Sequence, residues 1–291
     1  MASFMRAGAT AGLERSCAAT TDDWIRSAPP CREFERVEAF FAGHAFAPHR
    51  HDAYAVGFTL EGVQAFRYRG VAERSLPGQV FVLHPDELHD GHAGTSVGFH
   101  YKILYVAPRA IAEALSEPRS PLPFVRAVVS SDRRLAAAIA PALRDLDLDL
   151  EELHLDQIVA DLAEALAAAD TSLPRRALSA RHWRGVERAC EFLDTGFERT
   201  VTSAELEAVA GLSRYALARH FRACLGTSPY RYLVMRRLDR ARSLIRRGER
   251  LADAAAACGF ADQSHMTRQF KRAYGLSPGR WAALSACGAP H

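Results

Sequence analysis

A motif that occurs twice in the last third of the chain constrains the fold most. The pattern Arg-x-Phe-[Arg/Lys]-x3-Gly-x-Ser-Pro spans residues 219–229 and again residues 268–278, so matching positions lie 49 residues apart. A repeat of this length and detail indicates one supersecondary unit present in two copies.

Each copy predicts a helix, a tight turn and a second helix. Apolar residues with helical spacing end at Gly211 in the first copy and at Gly259 in the second, and glycine readily adopts the positive φ of a helix C-terminus. Ser213 and Asp262 follow, and their side chains can cap the free amides of the next helix. Such a pair of helices forms a helix-turn-helix, whose second helix enters the DNA major groove.

The two Ser-Pro pairs predict the start of further helices, because serine suits the N-cap and proline the first helical position. A helix from Pro229 to about Arg247 would be about 28 Å long at about 1.5 Å per residue. That length approaches the ~34 Å between successive major-groove faces. One chain is therefore expected to contact two grooves.

The outward-facing residues early in each second helix are the predicted DNA contacts. Arginine matches the acceptor pair of guanine and glutamine matches adenine, while a phosphate contact is the alternative for each arginine. The predicted contacts are Ser213, Arg214, Tyr215, Ala218, Arg219, Gln263, Ser264, His265, Thr267 and Arg268.

Residues 184–284 resemble the AraC-type (AraC/XylS) transcriptional regulators. The resemblance is carried by two stretches, GFADQSHMTRQFKRAYGLSP at 259–278 and LSRYALARHFRACLGTSP at 212–229. It implies a sequence-specific regulator of transcription that binds double-stranded DNA through a double helix-turn-helix domain at 183–286, after a linker at 171–182. RNA polymerase is a further candidate partner.

Charge supports a division into two parts. Residues 181–291 carry 19 Lys and Arg against 10 Asp and Glu, a net charge of +9, whereas residues 1–180 carry 18 against 24, a net charge of −6. A basic module is typical of phosphate binding. The sequence has no predicted signal peptide or membrane span, so we expect a cytoplasmic protein without a membrane partner. The six cysteines lack CxxC spacing and are expected to be free thiols.

The pattern of the N-terminal part predicts a small antiparallel barrel or sandwich. Residues 1–35 have weak periodicity and are interpreted as a flexible arm. The AraC-type resemblance implies that such an arm can fold over an effector pocket, with Trp24 as its anchor. In residues 36–109 apolar and small residues alternate between glycine-containing turns, as at 54–60, which is typical of short antiparallel strands.

Histidines in this barrel resemble the two motifs of the cupin fold, whose ligand positions fall on His49, His51 and His89. Two positions depart from that pattern, because Ala55 stands where a Glu is usual and Ala93 where an Asn is usual. A metal site and purely structural histidines are both alternatives to a ligand pocket. The regulatory resemblance favours a small-molecule effector without catalysis, metal or cofactor. The predicted pocket residues are His49, His51, Phe58, Phe66, Tyr68, Phe81 and His89.

Residues 110–170 predict amphipathic helices, and the resemblance gives them a part in dimerisation. The second apolar stripe consists of Leu155, Val159, Leu162 and Leu166 and is expected to form a homodimer; covering the barrel is the alternative. The sequence thus predicts an α+β chain with a cupin-like barrel at 36–109, this helical segment and an all-α C-terminal domain. A metal-dependent cupin enzyme carrying a DNA-binding domain and an effector-independent DNA-binding protein remain rival hypotheses.

Overall fold

The computed structural model describes residues 22–29, 31, 34–117, 119–172 and 177–287. Most of the predicted arm, residues 1–21, lies outside the described residues. Its end is a strand rather than a flexible segment, since Trp24–Ser27 pairs antiparallel with Phe34–Phe41. The Trp24 ring packs edge-on against His100 at 5.5 Å between centroids, which holds this strand on the barrel.

Within the described residues, ten strands form two antiparallel sheets, as the alternating pattern predicts. The larger sheet has the order β1-β2-β9-β4-β7-β10 and the smaller has β3-β8-β5-β6. The strands are β1 (Trp24–Ser27), β2 (Phe34–Phe41), β3 (His44–His49), β4 (Tyr54–Gly62), β5 (Gln64–Tyr68), β6 (Val71–Ser75), β7 (Val80–Leu83), β8 (His89–Ala93), β9 (Phe99–Val106) and β10 (Val129–Ser130).

Aromatic side chains fill the space between the two sheets. Phe81 packs against Phe66 and Tyr101, with ring centroids 6.4 and 6.2 Å apart. Gly57 on β4 makes room for this ring, because a Cβ there would lie 2.6 Å from Cζ of Phe81. The packing of the barrel core therefore requires a glycine at this position of β4.

Three helices cover the outer face of the larger sheet: α1 (Pro108–Ala114), α2 (Arg133–Leu143) and α3 (Glu152–Ala169). Leu162 and Leu166 of α3 are fully buried in a core shared with Val56 and Leu104 of the sheet. The interpretation of the α3 stripe as a dimer seam is wrong for this reason. The outer face of the sheet is apolar, and the stripe removes it from water within one chain.

The C-terminal part is all-helical and contains both predicted helix-turn-helix units. The first helix begins inside the predicted linker, at Ala180. The helices are α4 (Ala180–Thr195), α5 (Ser203–Ala210), α6 (Arg214–Leu225), α7 (Pro229–Arg246), α8 (Leu251–Ala257), α9 (Gln263–Tyr274) and α10 (Pro278–Cys287). Among the described helices, none has both the length and the apolar character needed to cross a membrane.

The helix-turn-helix turns have the predicted local structure. Gly211 ends α5 with a φ of 64°, and Gly259 follows α8 with a φ of 70°. Ser213 accepts a hydrogen bond from the amide of Ala216, and Asp262 accepts one from the amide of His265. Because these interactions are local, the sequence pattern alone was sufficient to identify them.

Helices α7, α9 and α10 pack against the barrel. One continuous apolar core includes Phe41 and Phe81 of the barrel together with Met235, Phe270 and Trp281 of the helical domain. The first helix-turn-helix has a separate core built around Phe221. The barrel is thus joined mainly to the second unit and to the connecting helix.

Candidate functional site

The predicted DNA contacts lie on exposed faces of α6 and α9. In α6, Tyr215 is 66% exposed, and Ala218 and Arg219 are also exposed. In α9, Gln263, Ser264 and Arg268 are exposed, while His265 and Thr267 are half-buried. The inner faces of both helices are apolar and buried, so the exposed residues of the outer faces are accessible to a partner.

Contacts within the first unit hold its recognition surface. The Arg214 guanidinium stacks over the Tyr215 ring at 5.0 Å, and its backbone amide donates to the Glu207 carboxylate at 2.5 Å. Arg188 donates to the carbonyls of Val209 and Ala210 at 2.8 and 2.6 Å. The sequence analysis missed Arg188, whose role depends on the approach of α4 to the end of α5.

Helix α7 sets the relation between the two units. It has 18 residues and is therefore about 27 Å long. Arg237 within it is buried and donates to the carbonyls of Phe197 at 2.7 Å and Arg199 at 2.9 Å. The connector is thus fixed to the loop after α4, which a helical pattern alone does not reveal.

A cavity of about 860 Å³ lies between the barrel and the C-terminal helices. Its barrel wall includes Phe46 and Phe66, and its helical wall includes Tyr232, Met235 and Arg242. The volume falls within the range of small-molecule sites, and the walls combine apolar and polar groups. Both domains therefore contribute to one binding space.

Three predicted pocket histidines meet at the barrel wall of this cavity. His49 of β3 pairs directly with His89 of β8, and their ring centroids are 4.2 Å apart. The ring of His51, just beyond β3, lies 4.7 Å from that of His89 and 6.2 Å from that of His49. Burial lowers the pKa of His49 and His51 well below the ordinary value, and that of His89 to about 4. The three imidazoles are thus neutral at pH 7.

Five of the seven predicted pocket residues line the cavity: His49, His51, Phe66, Phe81 and His89. Phe58 and Tyr68 do not, which corrects the prediction for these two. Phe58 packs on the outer face of β4 against the helical layer. The Tyr68 hydroxyl lies 2.7 Å from Nδ1 of His84, a residue whose Nε2 accepts from the amide of Val125 at 3.0 Å. This pair supports the barrel and lies outside the cavity wall.

The sequence analysis missed the arginines of the helical wall. Arg242 pairs with Glu35, and Arg236 pairs with Asp52 at 2.9 Å and with Asp239 at 3.2 Å. Each pair except the last joins residues about 180 or more positions apart, so no local pattern indicates them. The feature of the sequence that could have indicated these arginines is the high proportion of arginine from Arg236 onward.

In the part of the chain that the structure describes, no three His, Cys, Asp or Glu side chains are placed to hold a metal ion. Ala55, at the position of the usual cupin carboxylate, is fully buried and offers no ligand atom. The free thiols of Cys190, Cys224 and Cys258 are buried away from the cavity, and burial raises their pKa.

Comparison with known proteins gives two matching family models. An AraC-like ligand binding domain matches residues 33–167, and a helix-turn-helix domain matches residues 206–283. The uncharacterized HTH-type transcriptional regulator YbfI of Bacillus subtilis is 27% identical over 79% of this chain and 86% of its own length. The HTH-type transcriptional activator RhaS of Klebsiella pneumoniae is 35% identical over 30% of this chain and 32% of its own length.

Among solved structures, ToxT of Vibrio cholerae with a bound unsaturated fatty acid is similar in fold. The TM-score is 0.61 at 13% identity, covering 95% of this chain and all of ToxT. The likeness supports the two-domain architecture of barrel and helices. With both family models matched in the same order as the two domains, this chain belongs to the AraC-type transcriptional regulators, with a ligand-binding domain and a helix-turn-helix DNA-binding domain.

Proposed function

We propose that this regulator binds its effector in the cavity between the barrel and the C-terminal helices, and that occupancy changes how the second recognition helix is held. The observation that carries the proposal is the shared cavity wall, in which His49 and Phe81 come from the barrel and Tyr232 and Arg242 from α7. A ligand there contacts both domains at once. Its binding free energy therefore depends on their relative position.

A direct contact supports coupling to DNA binding. The amide of Ala47 donates to the carbonyl of Gly275 at 3.1 Å, and the amide of Arg50 donates to that of Arg272 at 2.9 Å. These carbonyls belong to the C-terminal end of α9 and would otherwise lack partners. Strand β3 and the residue after it thus cap the helix predicted to contact DNA. Because His49 lies on the same stretch, a ligand at the histidines acts on this cap.

Ion pairs support a docking that can be reversed. Arg280 of α10 pairs with Asp23 at 3.2 Å, and Arg231 of α7 lies 3.9 Å from the Asp86 carboxylate. These ion pairs accompany the apolar core that the two domains share, and they make the interface less costly to separate than a purely apolar one. The acidic N-terminal part and the basic C-terminal part therefore attract each other across the interface between them.

We further propose a regulator without catalysis that acts as a homodimer on DNA, with RNA polymerase as a later partner. Two chains would present four recognition helices and gain avidity for paired sites. Leu148 and Leu153, beside and at the start of α3, are 56% and 82% exposed and supply apolar surface for an interface. Sedimentation of Leu153→Arg should give a folded monomer. A dimer that persists in this variant would rule out this surface.

The effector proposal is tested with a variant that fills the cavity. Ser243 of α7 lines the cavity, so Ser243→Trp should occupy it. DNA fragments selected from the source genome provide the probe, and fluorescence anisotropy measures affinity with and without candidate metabolites. We expect wild-type affinity to change with an effector, and Ser243→Trp to bind DNA but no longer respond. Gln157→Trp, on the exposed face of α3, is the matched control. A full response in Ser243→Trp would contradict the proposed site.

A further inference from the structure

We propose that the histidine end of the cavity recognises a neutral hydroxyl group on an otherwise apolar effector, and that it discriminates against carboxylates. This inference rests on the proposed function, since it assigns a ligand class to the same cavity. It follows from the hydrogen-bonding capacity of the wall rather than from its shape.

Backbone carbonyls fix which nitrogen carries the proton in each of the three neutral rings. Nδ1 of His49 lies 2.9 Å from the carbonyl of Ala47, Nδ1 of His51 lies 2.8 Å from that of Ala53, and Nδ1 of His89 lies 3.0 Å from that of Glu87. A carbonyl oxygen only accepts, so each Nδ1 carries the proton and donates it. In a neutral imidazole the other nitrogen then bears a lone pair. The three Nε2 atoms are therefore acceptors.

Part of this acceptor capacity is unused within the described part of the chain. Nε2 of His51 is buried without a hydrogen bond, and so is Oε1 of Gln64, another residue of the cavity wall. His51 and Gln64 are themselves only 5% and 7% exposed. Buried polar atoms are rarely left unpaired, and an unpaired one indicates an absent partner. An organic partner that satisfies them must donate hydrogen bonds, because both atoms only accept.

The surroundings of the three histidines disfavour an ionic head group at this end of the cavity. Burial disfavours the protonated imidazoles, and the same loss of hydration disfavours a ligand ammonium group. A carboxylate would meet lone pairs at this wall. The guanidinium charges of Arg236 and Arg242 are already paired with Asp52, Asp239 and Glu35, and among the buried nitrogen atoms of the two arginines only the Nε atoms are without a hydrogen bond to the described residues. A hydroxyl group donates without carrying charge, and an aromatic or aliphatic alcohol or phenol fits best.

The remaining barrel wall fits an apolar body. Phe46 lies beside His49 with ring centroids 5.6 Å apart, and Tyr105 lies edge-on to His51 at 5.3 Å. Phe66, Phe81 and Tyr101 continue this wall. Aromatic side chains gain most from burying aromatic or alkyl surface. The wall thus supplies hydrogen-bond acceptors at one place and apolar contact around them.

Five matched compounds test the ligand class on the full-length protein: 4-propylphenol, 3-phenylpropan-1-ol, 3-phenylpropan-1-amine, 3-phenylpropanoate and propylbenzene. Calorimetry and thermal shift should show the phenol or the alcohol binding roughly tenfold more tightly than the others, as expected for a hydrogen bond to a buried acceptor. His89→Leu should remove this preference. His92→Leu, an exposed position on the same strand, should retain it. Preference for the carboxylate or amine, equal binding of all five, or no binding at millimolar concentration overturns the inference.

A second measurement needs no ligand and stays informative if His89→Leu does not fold. Nitrogen-15 NMR of the wild-type histidines at pH 7 should show the Nδ1–H form for His49, His51 and His89. Protonated rings or the Nε2–H form would overturn the inference. A divalent cation is the rival occupant of this site, so stoichiometric zinc binding that His51→Phe abolishes would also overturn it. An effector that is a carboxylate and is still blocked by Ser243→Trp would refute the ligand class alone. A response unaffected by Ser243→Trp would refute the proposed function.

Discussion

Arg242 of α7 and Glu35 of β2 form a two-pronged ion pair that joins the helical domain to the barrel, 207 positions apart in the chain. Burial by itself would raise the pKa of Glu35, but Arg242 and Arg246 outweigh it and hold that pKa below its ordinary value. The guanidinium of Arg242 also lies over the rings of Tyr274 and Trp281, at 4.9 and 5.1 Å. One arginine thus connects the barrel, α9 and α10.

Removing one partner of this pair should loosen the domains. Glu35→Gln leaves the Arg242 charge without its counter-ion, and we expect a loss of roughly 2 kcal/mol in unfolding free energy. Urea unfolding measures the loss, and small-angle X-ray scattering should show a larger radius of gyration. In a double-mutant cycle, Glu35→Gln with Arg242→Met should cost less than the sum of the single changes. Additive costs would mean that the two residues do not interact in solution.

The substitution Gly275→Ala should cost more stability than the positive φ of Gly275 alone implies. Its φ is 70°, and a Cβ would lie 2.8 Å from both the Ala47 carbonyl oxygen and Nδ1 of His49. Gly248 has a φ of 84° with open space around it, so Gly248→Ala measures conformational strain alone, about 1 to 2 kcal/mol. Gly275→Ala should lower the melting temperature further and weaken the capping of α9 by β3. Equal melting temperatures for the two variants would argue against this domain contact.

The two arginines that we propose as base contacts should affect DNA binding at separate positions. Arg219→Ala in α6 and Arg268→Ala in α9 should each cost about 1 to 3 kcal/mol of binding and relax specificity at sites about one helical turn apart. Arg133→Ala removes an exposed charge on the barrel side and serves as the control. Affinity measured on a set of single-base operator variants separates the outcomes. A uniform loss on every sequence, with only a shallower salt dependence, would assign both arginines to phosphates.

Substitutions in the apolar stripe of α3 should lower stability as substitutions in a buried core do. Leu162 is fully buried, and Leu162→Ala should cost about 3 kcal/mol by leaving a cavity. Glu164→Ala, on the exposed side of the same helix, should change stability by less than about 0.5 kcal/mol. Chemical denaturation compares the two variants. Near-equal stabilities would mean that Leu162 is not packed as the structure has it.

Buried histidines should make the fold sensitive to mild acid. Burial lowers the pKa of both His84 and His89 from 6.5 to about 4. Between these values the unfolded chain binds more protons, so stability is lost as pH falls below about 6.5, by about 2 kcal/mol for each ring at pH 5. Denaturation at pH 8 and pH 5 should show a smaller difference in His89→Gln than in the wild type. The exposed His92→Gln should keep the wild-type difference, and an unchanged difference in His89→Gln would contradict the assignment.

The helix-turn-helix units could be identified from the sequence because their signals are local. Gly211, Ser213, Asp262 and the apolar spacing of each helix specify ends and faces within about one turn of chain. The same periodicity separates the exposed Arg219 from the buried core of α6. Antiparallel strands were likewise evident from alternation. The sequence also indicated His49, His51 and His89 as one group of candidate pocket residues.

What lies on each face of those strands depended on packing between distant parts of the chain. Alternation in β4 distinguishes Phe58 from Gly57 but does not tell which one faces the cavity, since helices bury the outer face as well. Leu162 has the same amphipathic spacing whether it contacts a sheet or a second chain. Arg242 and Glu35 are distant in sequence and carry no mutual signal. Sequence by itself determined the elements and their chemistry, whereas the tertiary structure decided which faces meet, because burial is a property of the surfaces brought together and not of either segment alone.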